Sequence, residues 1–140
     1  MNTTRILLGG LAAGFVCFFG DGIVHGAILG EEWKQAMTAL GKMPTSEEEG
    51  MSSMLGFAVY DFMKGFFGVW LYAAIRPRFG AGPKTAIFAG IAAWVALGLI
   101  PHVTWLVIPV FEKSFVTKWI VFEAFPILAG TFVGAWIYRE

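Results

Sequence analysis

Six titratable side chains lie within stretches of the sequence that are otherwise apolar. They are Asp21, His25, Asp61, Lys64, His102 and Glu123. Carboxylate oxygens and imidazole nitrogens are donor atoms that zinc, manganese and iron use in proteins. All of these residues except Lys64 are therefore candidate metal ligands. With neutral histidines, the three carboxylates and the lysine carry a net charge of −2, which a divalent cation would balance.

The stretches that carry these side chains are long enough to cross a membrane. Of the 140 residues, 57% are hydrophobic and 14% are charged, and the mean hydropathy is +0.69. A membrane-spanning helix needs about 20 predominantly apolar residues. Four segments meet that requirement and predict helices 1 to 4, at about residues 6–29, 54–75, 85–109 and 117–138. The expected fold class is all-α, a single integral membrane four-helix bundle in the lipid bilayer over residues 1–140.

The longest connection, residues 30–53, has an organisation of its own. Trp33, Met37 and Leu40 recur at helical spacing among polar residues, which predicts a short interfacial helix on the membrane surface. Ser46 and Glu49 fit the S-x-x-E pattern of a capping box, so helix 2 should begin before it enters the lipid. We expect this outer loop to be an ordered lid.

Basic residues set the expected orientation. The turn between helices 2 and 3 holds three of them and no acid, and two more fall on the same side of the bundle: Arg76, Arg78 and Lys84, with Arg5 and Arg139. Short loops rich in Lys and Arg stay in the cytoplasm. This bias predicts that both termini are cytoplasmic and that residues 30–53 lie on the outer side.

A common depth unites the polar side chains. At a rise of about 1.5 Å per residue, every helix delivers at least one of them to the outer half of the bundle: Asp21 and His25 from helix 1, Asp61 and Lys64 from helix 2, His102 from helix 3 and Glu123 from helix 4. Glycines accompany them at helical spacing, and small residues permit close helix contact in membranes. The polar groups should therefore face the interior of the bundle.

Two prolines favour a cavity at this depth. Pro101 and Pro126 each lack a backbone N–H and free the carbonyl four residues earlier. Irregular backbone at membrane depth is tolerated where it is buried in protein or lines a cavity. The sequence therefore predicts a polar pocket that is lined by the six titratable residues and binds a ligand.

Several functions fit such a pocket. It could bind a divalent metal (zinc, manganese or iron) or a small ligand, and could support catalysis, so whether the chain is an enzyme stays open. The D-x-x-x-H pattern of helix 1 resembles the inward-facing ligands of di-metal four-helix bundles, although their Glu-x-x-His pair is missing. The alternatives are a proton- or cation-linked small transporter or channel, built as a homo-oligomer, and a non-catalytic accessory subunit of a membrane complex.

Three further interpretations can be weighed. Haem b with His25 and His102 as axial ligands is less favoured, because three nearby carboxylates make a poor wall for a macrocycle. A purely structural role would pair Asp21 with His25, Asp61 with Lys64 and His102 with Glu123. Nucleic-acid binding has no support, because the net charge is zero.

Two runs of sequence resemble a known group of proteins. WLYAAIRPRFGAGPKTA (70–86) and GAWIYRE (134–140) are similar to segments of small four-helix bacterial membrane proteins whose function is uncharacterised. The resemblance implies a bacterial inner-membrane protein. It covers the second turn and the last helix and not the polar residues, so it implies no role for any of them.

Overall fold

Four long helices pack together, and a short helix follows the first of them. The computed structural model describes residues 1–138, in which helix 1 is Thr3–Ile28, the short helix is Gly30–Ala39, helix 2 is Glu47–Phe79, helix 3 is Pro83–Val107 and helix 4 is Lys113–Ile137. Each long helix is long and apolar enough to span a membrane. The predicted all-α four-helix fold is confirmed. Arg139, one of the basic residues that set the expected orientation, lies outside the described residues.

The chain runs up and down, so the bundle has two distinct ends. The end that carries the short helix and the connections after helices 1 and 3 is called the loop end. The end that carries the first residues, the turn between helices 2 and 3 and the end of helix 4 is called the turn end. The lateral surface is apolar, with exposed side chains such as Phe57, Phe125 and Trp136. This surface suits contact with lipid chains.

Helix 2 begins at Glu47 rather than near residue 54. The hydroxyl of Ser46 accepts a hydrogen bond from the Glu49 N–H at 3.2 Å, as in a capping box. The Glu49 carboxylate reaches back one residue further than expected and accepts from the Thr45 N–H at 2.7 Å. Acidic residues in the first turn also favour a helix start, because they lie at the positive end of the helix dipole.

Three of the long helices change their backbone geometry near the loop end. Helix 1 passes from α-helix (Thr3–Asp21) to π-helix (Gly22–Ile28). Helix 3 contains a π-helical segment at Val95–Leu99, just before Pro101, and helix 4 is interrupted at Glu123, three residues before Pro126. Both prolines therefore coincide with irregular backbone, because each lacks the N–H that would continue an α-helix.

Glycines bring helices 1, 2 and 4 into close contact. A Cβ atom on Gly9 would lie 2.7 Å from the Gly134 carbonyl oxygen of helix 4. A Cβ atom on Gly65 of helix 2 would lie 2.7 Å from the Ala13 carbonyl carbon of helix 1. These distances are too short for any side chain. The backbones therefore pack directly against each other, as small residues allow in membrane bundles.

The short helix is docked on helix 4 and does not hang free. The Trp33 indole packs against the rings of Phe115 and Trp119, with centroids 5.1 and 4.8 Å away. Lys118 of helix 4 donates a hydrogen bond to the Glu32 carboxylate at 2.8 Å, and this bond lowers the pKa of Glu32. An apolar contact and an ion pair therefore order the segment that follows helix 1.

Candidate functional site

A buried ionic cluster joins helices 1, 2 and 4 in the half of the bundle nearer the loop end. The Lys64 ammonium lies 2.9 Å from Asp61 Oδ1 and 2.7 Å from Glu123 Oε1, and it also contacts Asp21 Oδ2. The side chains of Lys64 and these carboxylates are between 2% and 8% exposed. One cation is therefore shared by three carboxylates. When all four groups are ionised, the cluster carries a net charge of −2.

Local features of each helix position these side chains. Asp61 and Lys64 are three residues apart on helix 2 and therefore share a face. Gly65 lets the backbone of helix 1 approach that face directly. Asp21 ends the α-helical part of helix 1, and Glu123 occupies the interruption in helix 4. The chain thus places carboxylates where its helices are irregular, as is common at functional sites.

His25 connects the cluster to the short helix. Its Nε2 atom lies 3.1 Å from Glu123 Oε2, and the Trp33 indole N–H donates to its Nδ1 atom at 2.8 Å. An indole nitrogen can only donate, so Nδ1 must be an acceptor. Neutral His25 then carries its proton on Nε2 and donates to Glu123. The His25 side chain is 27% exposed, so it marks the edge of the cluster.

Three of the cluster residues could hold a metal ion. Asp21, His25 and Glu123 each offer one donor atom, and these atoms lie within 4.8 Å of one another. One oxygen of Asp21 stands out, because Oδ1 is buried and has no hydrogen-bond partner among the described residues. An unpaired buried polar group costs about 1–3 kcal/mol. A cation bound at this oxygen would remove that cost.

The structure brings five of the six predicted site residues together. Asp61 belongs to the cluster through Lys64 but is outside the three-residue metal group. His102 is buried at the side of the cluster, where its Nδ1 atom lies 2.6 Å from the Gly98 carbonyl oxygen. Its ring packs on Trp119 with centroids 4.2 Å apart.

The pairs considered in the structural interpretation form only in part. Asp61 does pair with Lys64, but Glu123 contacts His25 and Lys64, and Asp21 contacts Lys64. The change from α- to π-helix after Asp21 alters the angle between Asp21 and His25, since a π-helical turn is wider than an α-helical one. The contacts form one network across three helices rather than three separate pairs.

Two aromatic residues contribute to the site although neither is among the six candidate site residues. Trp33 belongs to the short helix expected on the membrane surface, and Trp119 belongs to helix 4. Trp119 packs against both histidines, with centroids 5.7 Å from His25 and 4.2 Å from His102. Its position four residues before Glu123, on the same helix face, is a signal that could have identified it.

Haem ligation by both histidines would require the side chains around them to move. A macrocycle coordinated by His25 and His102 would have to displace Trp119, which contacts both rings. Haem ligation would therefore require the packing of Trp119 against both histidines to break.

No protein-family model, no curated protein and no solved structure matches the chain.

Proposed function

We propose that this chain is a multi-pass membrane protein that binds a divalent cation such as zinc, manganese or iron at Asp21, His25 and Glu123. The observation that carries the proposal is the approach of their donor atoms to within 4.8 Å of one another. Two ligands on opposite sides of one such ion are separated by about 4.2 Å, because each metal–ligand bond is about 2.1 Å long. Small side-chain movements would therefore complete the coordination.

Lys64 leaves one oxygen of each metal-binding carboxylate available. It contacts Oδ2 of Asp21 and Oε1 of Glu123. The unpartnered Asp21 Oδ1 and the Glu123 Oε2 that faces His25 remain as donors. In this arrangement Lys64 is a positioning residue that orients both carboxylates, as residues behind metal ligands commonly do. The added divalent charge would balance the net charge of the cluster.

Metal binding at His25 would change its contact with Trp33. A metal on Nε2 displaces the proton from that atom, so a neutral ring carries its proton on Nδ1. The Trp33 indole N–H also points at Nδ1, and two N–H groups cannot bond to each other. The proposal therefore includes a movement of Trp33, which the difference in tryptophan fluorescence between wild type and Trp33→Phe on metal addition would report.

The two histidines provide a matched test. Wild-type protein, His25→Gln and His102→Gln would be purified in mild detergent without chelator, and zinc, manganese and iron would be measured per chain and by titration. We expect about one ion per wild-type chain, a similar value for His102→Gln, and an affinity at least about tenfold lower for His25→Gln. Unchanged affinity in His25→Gln, or equal loss in both variants, would contradict the proposal.

A second candidate is transport of protons or small cations. The observation that favours it is the continuous set of contacts from Asp21 through Lys64 and Glu123 to the partly exposed His25, since such chains of titratable groups are typical of proton relays. Helices 1, 2 and 4 pack closely towards the turn end, so we expect transport to need a second copy of the chain. Cation uptake by reconstituted vesicles, abolished by Glu123→Gln, would support it.

We also propose a bacterial inner-membrane location with both termini in the cytoplasm. The support is the accumulation of basic residues at the turn end, where Arg5, Arg76, Arg78 and Lys84 all lie. Positively charged loops are retained in the cytoplasm. The resemblance to small bacterial membrane proteins points in the same direction.

A further inference from the structure

The short helix, Gly30–Ala39, lies against the most exposed of the three proposed metal ligands. The His25 side chain is 27% exposed, whereas those of Asp21 and Glu123 are 8% and 2% exposed. Trp33 of the short helix donates its indole N–H to His25 Nδ1 at 2.8 Å, and the two ring centroids are 5.7 Å apart. A cation that arrives from the loop end therefore meets the cluster at His25, beside Trp33.

Few contacts hold the short helix in place. None of its ten residues is buried. Trp33 and Ala36 pack against a small apolar cluster around Phe115. Glu32 and Lys118 add an ion pair, and their side chains are 28% and 53% exposed. Elements with few buried contacts open more readily than a packed core, and the segments that cover binding sites are commonly of this kind.

Both ends of the short helix are suited to act as hinges. At its start, Leu29 follows the π-helical end of helix 1 and has an irregular backbone, with φ −105° and ψ 12°. Beyond its end, Gly41 has a φ of +64° and open space around it. Glycine adopts such angles without strain, and hinge residues absorb changes in backbone angles. The short helix can therefore move while helices 1 and 2 keep their packing.

We propose that the short helix is a lid that controls how fast a divalent cation enters and leaves the cluster from the loop end. This inference rests on the proposed cation site. In the closed state, Trp33 occupies His25 Nδ1 and Lys118 holds Glu32. In the open state, both contacts are broken and His25 is accessible. The ion pair of Glu32 with Lys118 is not part of the cluster, so breaking it should change the rates of entry and exit together.

Stopped-flow measurement of zinc association and dissociation in detergent would test the lid. The proteins are wild type, Glu32→Gln, Lys118→Gln and the control Lys113→Gln, whose lysine is exposed at the start of the same helix. We expect both rates to rise about two- to fivefold in the two ion-pair variants, which is the contribution of an exposed ion pair. The affinity should change less than the rates, and Lys113→Gln should match wild type.

The two ion-pair variants also separate the lid from a simple effect of charge. Glu32→Gln removes a negative charge and Lys118→Gln removes a positive one. A long-range effect of charge on the approach of zinc would therefore change the association rate in opposite directions. Opening of the lid changes it in the same direction.

Chemical modification of metal-free protein gives a second measurement that does not depend on a cation. Diethyl pyrocarbonate reacts with accessible imidazole, and mass spectrometry would follow its reaction with His25. The rate should rise in both ion-pair variants. It should fall in Glu32→Cys/Lys118→Cys when a reducible bifunctional thiol reagent bridges the two cysteines, and recover on reduction. Cys17 is 1% exposed, so it should not compete for the reagent.

Two results would overturn the proposal. One is that the zinc rates and the modification of His25 keep their wild-type values in both ion-pair variants. The other is that the bridged and the reduced double-cysteine proteins behave alike in both measurements. If the wild type binds no zinc while the modification of His25 responds to the bridge, the cation site is wrong and the lid is retained. If zinc binds and neither measurement responds, the cation site stands and the lid is wrong.

Discussion

Lys64 is the residue on which the ionic cluster depends most. It is 2% exposed and is the cation that contacts Asp21, Asp61 and Glu123. Three carboxylates in a water-poor interior repel each other strongly, and each has lost its hydration. The lysine offsets both costs. It also fixes the direction of the two carboxylates proposed to bind the metal.

Replacing this lysine should destabilise the protein strongly. Lys64→Met leaves buried carboxylates without a counter-ion, and breaking a buried ion pair in this way costs about 3–5 kcal/mol. Lys118→Met is the matched control, because Lys118 also pairs with a glutamate but is 53% exposed, and such pairs contribute under about 1 kcal/mol. Denaturant unfolding in detergent would measure both variants. Equal effects of the two substitutions would contradict the central position of Lys64.

Removing the Trp33 donor should strengthen metal binding. Trp33→Phe keeps the aromatic packing but deletes the N–H that points at His25 Nδ1, so the ring can carry its proton there while a metal occupies Nε2. We expect a higher metal affinity in titrations of this variant, and no change in Trp70→Phe, whose indole is on the lateral surface. Weaker binding in Trp33→Phe would show that the hydrogen bond supports the metal-bound state.

At the scale of helices, close packing of helices 1 and 2 is required to assemble the cluster. Gly65 lies beside Lys64, and a Cβ atom there would overlap the backbone of Ala13 and Gly14. Gly56, also on helix 2, has open space around the same position. Alanine substitutions at these two glycines can therefore be compared: both change the intrinsic helix propensity, but only the one at Gly65 disturbs the contact between helices 1 and 2.

Gly65→Ala should be destabilising and Gly56→Ala should not. Overpacking typically costs about 1–3 kcal/mol, and the separation of helices 1 and 2 should also weaken metal binding. An alanine at an open helical position is neutral or slightly stabilising. Unfolding in detergent and metal titration would give both quantities. If Gly65→Ala matched wild type in both measurements, the direct contact between helices 1 and 2 at Gly65 would be contradicted.

The ion pair of the short helix should make its docking sensitive to acid. The hydrogen bond from Lys118 lowers the pKa of Glu32 below its ordinary value of 4.5. The stabilisation is therefore fully present above pH 4.5 and is lost as the pH falls through the lowered pKa. In wild type, hydrogen exchange of Gly30–Ala39 should be faster below the lowered pKa of Glu32 than at neutral pH, after correction for intrinsic exchange rates. Glu32→Gln should lack this change, and a change of equal size in that variant would assign it to another group.

Hydropathy was enough to predict the helices but not their ends. A helix needs about 20 apolar residues to cross the hydrocarbon core of a membrane, so four spans were evident from the sequence. The start of helix 2 at Glu47 was missed by a purely apolar count, because the first turns are polar and are stabilised by Ser46 and Glu49. The Ser46 capping signal did predict an early start. The π-helical segments depend on tertiary contacts and could not be read from spacing alone.

Across the whole molecule, depth along the helices predicted which polar residues meet. Asp21, Asp61, Lys64 and Glu123 converge as expected, since a buried charge in a membrane must find a partner. His102 has the same depth, but its bond to Gly98 is set by the local backbone. The bond from Trp33 to His25 depends on how the short helix docks, which no periodicity specifies.

The proposed orientation can be tested with cysteine labelling. The native Cys17 is 1% exposed, so it should give little background. Ser46→Cys at the loop end should react with a membrane-impermeant maleimide in intact bacterial cells. Ala81→Cys at the turn end should react only after permeabilisation. The reverse pattern would place both termini outside the cytoplasm.

The measurement that tests the central claim most directly is X-ray absorption spectroscopy of the protein loaded with one equivalent of zinc. Binding at Asp21, His25 and Glu123 predicts one imidazole nitrogen and at least two oxygens at about 2.0–2.2 Å, with the imidazole signal absent in His25→Gln and retained in His102→Gln. A first shell without imidazole, or an imidazole signal that survives His25→Gln, would contradict the proposed cation site.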